Sequence, residues 1–189
     1  MKILKYLLIF LAIIAIIFFG KGIITPSVSY ESTTSVSKSV EESWAVMTDE
    51  ETMSKWITGF IKSELVSGEP NTVGAVSNTY VEENGEEMII VETITDITPN
   101  ERIAMTFTMD FMDMDYELSM EDQGDQTIIT TKSEVRGNGL FAKSIISFMP
   151  DMMKAQEDEN LAKLKRLIES NTKDYFPEPA LELMDEDED

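Results

Sequence analysis

The fold is decided by residues 102–120, which read RIAMTFTMDFMDMDYELSM. In the first half the apolar side chains fall on odd positions, from Ile103 to Met109, and in the second half they fall on even positions, from Met114 to Met120. Alternation with a period of two is typical of a strand with one apolar face, and the change of parity at residues 110–112 indicates a turn. The stretch therefore predicts a hairpin of an antiparallel sheet, with one face in water and the other against an apolar layer.

Similar alternating segments on both sides extend this hairpin to a sheet of seven strands. Turn residues separate the segments, among them Asn84-Gly85 and Pro99-Asn100. The predicted strands cover residues 30–37, 60–66, 73–81, 88–97, 102–109, 112–120 and 127–135.

Helices are predicted between the first two strands and after the seventh. Ser39 can cap one short helix, and either Thr48 or Asp49 can cap a second. After the last strand, residues 140–148 form a short apolar helix, and Pro150 can begin a long one. The apolar stripe of the long helix consists of Met153, Leu161, Leu164 and Ile168, and Lys154, Glu157 and Asp158 are assigned to its opposite, polar side. The pattern is α+β, with an antiparallel sheet covered by the C-terminal helix.

The N-terminal segment from Ile3 to Ile24 is apolar and has about the ~20 residues that cross a bilayer. An uncleaved anchor and a cleaved signal peptide are both possible, but bulky and charged residues after the apolar run favour the anchor. Lys2 and Lys5 outnumber Lys21, so the positive-inside tendency predicts a cytoplasmic N-terminus and an extracytoplasmic domain. Cleavage would instead give a secreted protein.

The predicted organisation therefore has three parts. Residues 1–26 form a transmembrane anchor, or signal peptide, and linker, and residues 27–173 form one folded domain. Residues 174–189 contain two prolines and eight acidic residues without a basic one, which predicts a disordered tail.

Composition excludes several classes of function. Asp and Glu number 36 against 15 Lys and Arg, and the net charge of −21 would repel nucleic acid. The chain has no Cys and no His, which excludes disulfides, thiolate zinc sites and Ser-His or Cys-His catalysis. The acidic residues between Asp110 and Glu117 lack the glycine and terminal glutamate of a calcium-binding EF-hand loop. No metal site and no cofactor are predicted.

Four stretches carry a resemblance to a known family. They are VEESW at 40–44, MSKW at 53–56, NTVGA at 71–75 and TDITPNERIA at 95–104. In these stretches the chain resembles the SRPBCC superfamily, specifically its START-like or polyketide cyclase/dehydrase-like bacterial members, here with a membrane anchor. The resemblance extends from Tyr30 to about Ser170 and implies the helix-grip fold, a curved sheet around the long helix. The stretches specify turns and core, so function is carried over by analogy alone.

The resemblance implies a cavity between sheet and helix that in relatives holds lipids, sterols, polyketides or hormones. We therefore expect a membrane-tethered binding module for a hydrophobic small molecule or lipid. The residues expected to contact the ligand are Trp56, Phe60, Met105, Phe107, Met109, Met114, Tyr116, Leu118, Thr131, Phe141, Ile145, Phe148, Met149, Met152 and Met153. The alternative for these residues is that they simply pack a core.

Two other functions stay open at this point. One is a cyclase or dehydratase that acts on an apolar substrate through Tyr116 or a buried carboxyl group, although the absence of His and Cys favours binding over catalysis and no residue is predicted as catalytic. The other is a protein-interaction module, like the chaperone activators that share the fold.

Overall fold

A computed structural model describes residues 2–83 and 85–177 of the chain. Its helices and strands, in chain order, are α1 (Lys2–Ile24), β1 (Ser27–Val36), α2 (Val40–Thr48), α3 (Glu50–Trp56), β2 (Phe60–Ser67), β3 (Val76–Glu83), β4 (Glu86–Thr98), β5 (Arg102–Thr108), β6 (Met112–Asp122), β7 (Thr127–Gly137), α4 (Leu140–Ile146) and α5 (Pro150–Glu169).

The seven strands form one antiparallel sheet in the order β1-β7-β6-β5-β4-β3-β2. The change of parity was a correct guide to the central hairpin, because Met105 on β5 pairs with Tyr116 on β6. The first strand closes the sheet against the last, with Tyr30 opposite Ser133. Together with the long C-terminal helix this is the predicted α+β helix-grip fold.

Local hydrogen bonds explain where the two short helices begin. The Ser39 hydroxyl accepts a hydrogen bond from the Glu42 backbone N–H at 3.2 Å, which caps α2. Of the two predicted caps for α3, the structure uses Asp49, whose carboxylate accepts from the Glu51 N–H at 3.0 Å. Each helix of the pair thus starts at a side chain that satisfies a free backbone donor.

The third strand begins later than predicted. Val73 was expected to open it, but β3 starts at Val76. Gly74, which lies between these two valines, has a φ of 87°, a left-handed conformation that a continuing strand does not allow. The backbone therefore turns at this point before it enters the sheet.

The main core lies under the C-terminal half of α5. Leu161, Leu164 and Ile168 are 2%, 0% and 0% exposed, and they pack in one cluster with Leu118 and Ile129 of the sheet. A smaller cluster lies under the N-terminal half, where Val28, Val135 and Ile146 are buried with Met114 and Met153 packed against them. The helix therefore seals one end of the sheet more tightly than the other.

The first helix, α1, extends for 23 residues, or about 35 Å at ~1.5 Å per residue. In the part of the chain that the structure describes, it is the one helix long and apolar enough to cross a membrane. A signal sequence would pass the same test of length and composition. Nearly all of its side chains are exposed, and Gly22 near its end is buried.

The segment after α5 returns to the junction of α2 and α3. The Tyr175 hydroxyl donates to the Asp49 carboxylate at 2.7 Å, and the Lys173 ammonium forms an ion pair with the same group at 2.7 Å. Tyr175 also packs against the main core. Residues 178–189 of the predicted acidic tail lie outside the described residues, as does Asn84 of the predicted Asn84-Gly85 turn.

Candidate functional site

The inner face of the sheet, which α5 covers, carries a row of neighbouring side chains from four strands. Tyr30, Ser133, Tyr116 and Met105 pair across β1, β7, β6 and β5 at one level of the sheet. This level lies opposite the N-terminal half of α5, where the polar side chain of Glu157 meets the row.

Tyr116 and Glu157 form the central contact of the site. The phenol of Tyr116 donates a hydrogen bond to the Glu157 carboxyl group at 3.1 Å. Burial raises the pKa of Glu157, and the nearby hydroxyl groups of Thr131 and Tyr116 only partly oppose this effect. Burial, reinforced by the negative charge of Glu157, raises the pKa of Tyr116 well above its usual value. The pair can therefore hold a proton that a solvent-exposed carboxylate would have released.

Two buried hydroxyl groups flank this pair without satisfying their own hydrogen bonds. Thr131 is 1% exposed and Ser133 5% exposed. Thr131 lies close enough to Glu157, and Ser133 to Tyr30, to lower the pKa of each neighbour. Yet within residues 2–83 and 85–177 neither hydroxyl completes a hydrogen bond of normal geometry. A buried polar group left without a partner costs about 1–3 kcal/mol, so a new hydrogen bond to either hydroxyl would recover part of that cost.

Apolar and sulfur-containing side chains surround the polar row. The ring of Phe107 meets that of Tyr116 edge-on, with 6.0 Å between the ring centroids. The Tyr30 hydroxyl contacts the Met114 sulfur at 3.7 Å, and burial raises the pKa of this phenol. We name the set of Tyr30, Tyr116, Thr131, Ser133 and Glu157 the inner polar cluster. It combines hydrogen-bonding groups with an apolar surround, as sites for amphiphilic small molecules do.

The structure divides the predicted ligand-contacting residues among four places. Around the inner polar cluster lie Met105, Phe107, Met114, Tyr116, Thr131 and Met153. Trp56 and Leu118 belong to the main core, with exposures of 8% and 1%. Phe60 opens β2, and Met109 follows β5 in the turn to β6. Phe141, Ile145, Phe148, Met149 and Met152 lie on α4, on the first turn of α5 and between the two.

Glu157 is the member of the cluster that the sequence interpretation placed wrongly. It was assigned to the polar side of α5, but its side chain reaches Tyr116 on the sheet. The signal was present in the spacing, because position 157 lies four residues from both Met153 and Leu161 of the apolar stripe. A carboxyl group inside an apolar stripe indicates a buried polar contact.

A second carboxyl group on the inner face was also missed. Glu92 on β4 lies opposite Phe107 and accepts a hydrogen bond from the Thr79 hydroxyl at 3.3 Å. Burial raises its pKa. Glu92 lies on the strand next to that of Phe107, one strand further from the inner polar cluster. At this distance its carboxyl group could contact a polar group at the far end of a long ligand.

An open depression of about 700 Å³ is lined mostly by outer-face residues of the sheet, although Tyr30, Met105, Tyr116 and Ser133 of the inner row also border it. Most of its lining side chains are charged or hydroxylated, including Glu31, Asp115, Glu117, Lys132 and Glu134. Nearby ion pairs join Arg136 to Asp115 at 2.7 Å and Arg102 to Glu117 at 3.1 Å. In the described residues no group of three or more acidic side chains is placed to hold a metal ion. This face is a solvated ladder of charges and differs from the inner site in chemistry.

Comparison with known proteins gives consistent results for the folded part. The profile of a family described as polyketide cyclase / dehydrase and lipid transport matches residues 27–169. A search of curated proteins by sequence found no match.

Solved structures share the fold at low sequence identity. A START superfamily protein from Mycobacterium smegmatis is 17% identical, with 75% of this chain and 94% of that chain covered and a TM-score of 0.55. The Zhui aromatase/cyclase from Streptomyces sp. R1128 is 17% identical, with 75% and 91% covered and a TM-score of 0.57. A protein from Chromobacterium violaceum is 16% identical, with 76% and 98% covered and a TM-score of 0.59.

Proposed function

The chain belongs to the polyketide cyclase / dehydrase and lipid transport family, and from this premise we propose that it binds a hydrophobic small molecule or lipid between the sheet and the N-terminal half of α5. Family membership supports either hydrophobic-ligand binding or a polyketide cyclase-like module. The observation that favours a ligand at this place is the pair of buried, unpartnered hydroxyl groups of Thr131 and Ser133 beside Tyr116 and Glu157.

In this proposal the ligand has an apolar body and one polar group. The polar group exchanges hydrogen bonds with the Thr131 hydroxyl and with the Tyr116–Glu157 pair, and each such bond contributes about 0.5–1.5 kcal/mol net. The apolar body packs on Met105, Met114 and Phe107, which surround the polar side chains on the inner face. Unbranched methionine side chains can change rotamer, so the site can open to admit a ligand and close again.

The proposal includes retention of α1 as a membrane anchor, with its N-terminus in the cytoplasm and the domain outside. The length and apolar composition of the helix support this assignment. Only Thr25 and Pro26 separate α1 from β1, so the domain would stay next to the bilayer surface. A lipid in the adjacent leaflet would then be present at high effective concentration, and weak binding would be sufficient.

Native mass spectrometry of the full chain, released from detergent micelles, tests the binding proposal. We expect the wild-type chain to retain a small molecule of defined mass. Tyr116→Phe and Thr131→Val remove single hydroxyl groups of the inner polar cluster and should lower the fraction of ligand-bound chain.

Thr130→Val is the matched control for these variants. Thr130 is the next residue on β7, and its hydroxyl faces outward to Thr33 at 3.2 Å. It should leave the bound fraction unchanged. An empty wild-type chain, or equal occupancy in all three variants, would refute the proposal.

Catalysis is the second candidate function, because the raised pKa of Glu157 would keep its carboxyl group protonated to higher pH. Such a group can donate a proton to a ligand carbonyl, as a cyclase or dehydratase reaction requires. Recovery of the bound compound after incubation separates the two functions. A carrier returns the compound unchanged, whereas an enzyme converts it and loses this conversion in Glu157→Gln.

A further inference from the structure

The end of α1 packs against α4 in a contact that no ligand-binding role requires. Gly22 is buried there, and a Cβ atom added to it would lie 2.6 Å from the Ser144 backbone nitrogen and 2.7 Å from the Ser144 Cα. On the other side of α4, a Cβ atom on Gly137 of β7 would lie 2.8 Å from the Lys143 Cα. Two glycines thus hold α4 tightly between the sheet and the end of α1.

Aromatic side chains continue the same contact along α1. The ring of Phe18 stacks on that of Phe148 with 6.0 Å between centroids and 5° between planes, and it also lies 6.0 Å from the ring of Phe141. The Lys21 ammonium lies 3.9 Å above the centre of the Phe148 ring. Phe141 and Phe148 are therefore fixed at the depth of Phe18, a residue inside the apolar run of α1.

The contact with Phe18 sets the depth of Phe141 and Phe148 in a bilayer that α1 enters. A lysine at the end of an apolar helix extends to the headgroups, so Lys21 marks their level. Phe18 is three residues earlier and lies about 4.5 Å deeper at ~1.5 Å per residue. The rings that touch it, Phe141 and Phe148, then lie just below the headgroups.

The exposed side chains around this contact are apolar. Leu140, Phe141, Phe148 and Met152 are 46–59% exposed, and we name them the α4 face. Exposed aromatic and aliphatic groups next to basic Lys21 and Lys143 have the composition of surfaces that lie in the membrane interface.

We infer that the α4 face is inserted in the bilayer that α1 enters, just below the headgroups. This inference rests on the anchor of the proposed function and adds a fixed orientation of the domain. The N-terminal half of α5 begins at this surface, with Met152 on the α4 face, Met153 in the smaller core cluster and Glu157 one turn further in the inner polar cluster. The end of α5 nearest the proposed binding site would therefore face lipid, and a bilayer lipid is the ligand source that this geometry favours.

Because the chain has no cysteine, single-cysteine labelling tests the inference directly. The full chain, labelled with an environment-sensitive fluorophore, is reconstituted in phosphatidylcholine vesicles with and without lipids that carry a quencher near the headgroup. Leu140→Cys and Met152→Cys place the label on the α4 face. Glu159→Cys, on an exposed side of α5, is the control for a label in water. Ala12→Cys places the label in the middle of α1. It is measured with a quencher deep in the acyl chains and reports whether α1 is inserted.

We expect loss of fluorescence at positions 140 and 152 and no loss at position 159. If positions 140 and 152 behave like position 159 while position 12 is quenched, the α4 face is in water and the inference is wrong, although the anchor stands. If position 12 is not quenched either, the anchor and the inference both fail. Neither result affects the mass-spectrometric test of ligand binding, so the two proposals are judged separately.

Discussion

The contact between α1 and α4 can be tested by two glycine substitutions in α1, because Gly22 lies in the contact and Gly20 lies outside it. Gly22→Ala adds a methyl group against Ser144, where only about 2.6 Å is free, and ordinary contact needs ~3.5–4.0 Å. The two helices must therefore separate by roughly 1 Å. Gly20→Ala adds the same group two residues earlier, where no described residue lies within 4 Å. Both substitutions raise helix propensity equally, so their difference reports the packing alone.

The size of the effect follows from the contacts that the separation disturbs. The stacked pair of Phe18 and Phe148 is worth about 0.5–1.5 kcal/mol, and the contact of Lys21 with the Phe148 ring adds about 0.5–1 kcal/mol. Losing both would lower the free energy of local opening of α4 by about 1–2.5 kcal/mol. Since each 1.4 kcal/mol is a factor of ten, backbone amides of α4 should exchange roughly 5- to 60-fold faster.

Hydrogen exchange read by mass spectrometry measures this effect in the full chain held in phosphatidylcholine nanodiscs. The peptide that covers residues 140–148 should exchange faster in Gly22→Ala than in Gly20→Ala, while peptides from the main core should be unchanged. Equal exchange of residues 140–148 in the two variants would show that α1 does not pack on α4, and the orientation inferred above would lose its basis.

Three further predictions concern the folded domain. Burial raises the pKa of Glu157, so the stability linked to its proton is complete below the ordinary Glu pKa and is lost as pH rises through the native pKa. In urea unfolding, the free energy of unfolding of Glu157→Gln should therefore rise relative to that of the wild type as pH rises. A difference between the two proteins that stays constant with pH would contradict this. Leu164→Ala, at a position that is 0% exposed, should lower the free energy of unfolding by about 2–5 kcal/mol, and a loss below about 1 kcal/mol would refute tight packing there. The pKa of Asp49 is lowered first by the hydrogen bond from Lys173 and then by that from Tyr175, which Tyr175→Phe removes. The free energy of unfolding of this variant should therefore be about 1 kcal/mol lower than that of the wild type near neutral pH, and the loss should shrink as pH falls through the Asp range. A loss that does not change with pH would be inconsistent with this role.

The sheet could be predicted because its signals are local in the sequence. A change of parity near residue 111 is enough to define the hairpin, and in the structure Met105 pairs with Tyr116 across it. The odd positions of β7 are the buried ones, and Thr131 is among them. Capping side chains such as Ser39 are equally local, since they bond a backbone group three residues away.

The polar contacts of the site could not be predicted as easily, because they join residues distant in sequence. Tyr116 and Glu157 are 41 positions apart, and their meeting depends on the rotation of α5 about its axis. Charge alone places Glu157 on the outside of an amphipathic helix, and only its spacing from Met153 and Leu161 argues otherwise. The contact of Gly22 with Ser144 leaves no sequence signal, because an apolar run does not indicate which neighbour it packs against.

The uneven packing of α5 explains how the domain can keep unpaired hydroxyl groups in its interior. Full burial of a leucine or isoleucine side chain contributes about 1.5–3 kcal/mol, and three such residues, Leu161, Leu164 and Ile168, lie at the C-terminal end of the helix. The two unpartnered hydroxyls near its N-terminal end cost about 1–3 kcal/mol each. In total the first contribution is about 4.5–9 kcal/mol and the second about 2–6 kcal/mol, so burial at the C-terminal end can offset the cost of the two hydroxyls and hold the helix on the sheet. A ligand that satisfies Thr131 and Ser133 recovers part of that cost, and it does so at the end of α5 that begins beside α1.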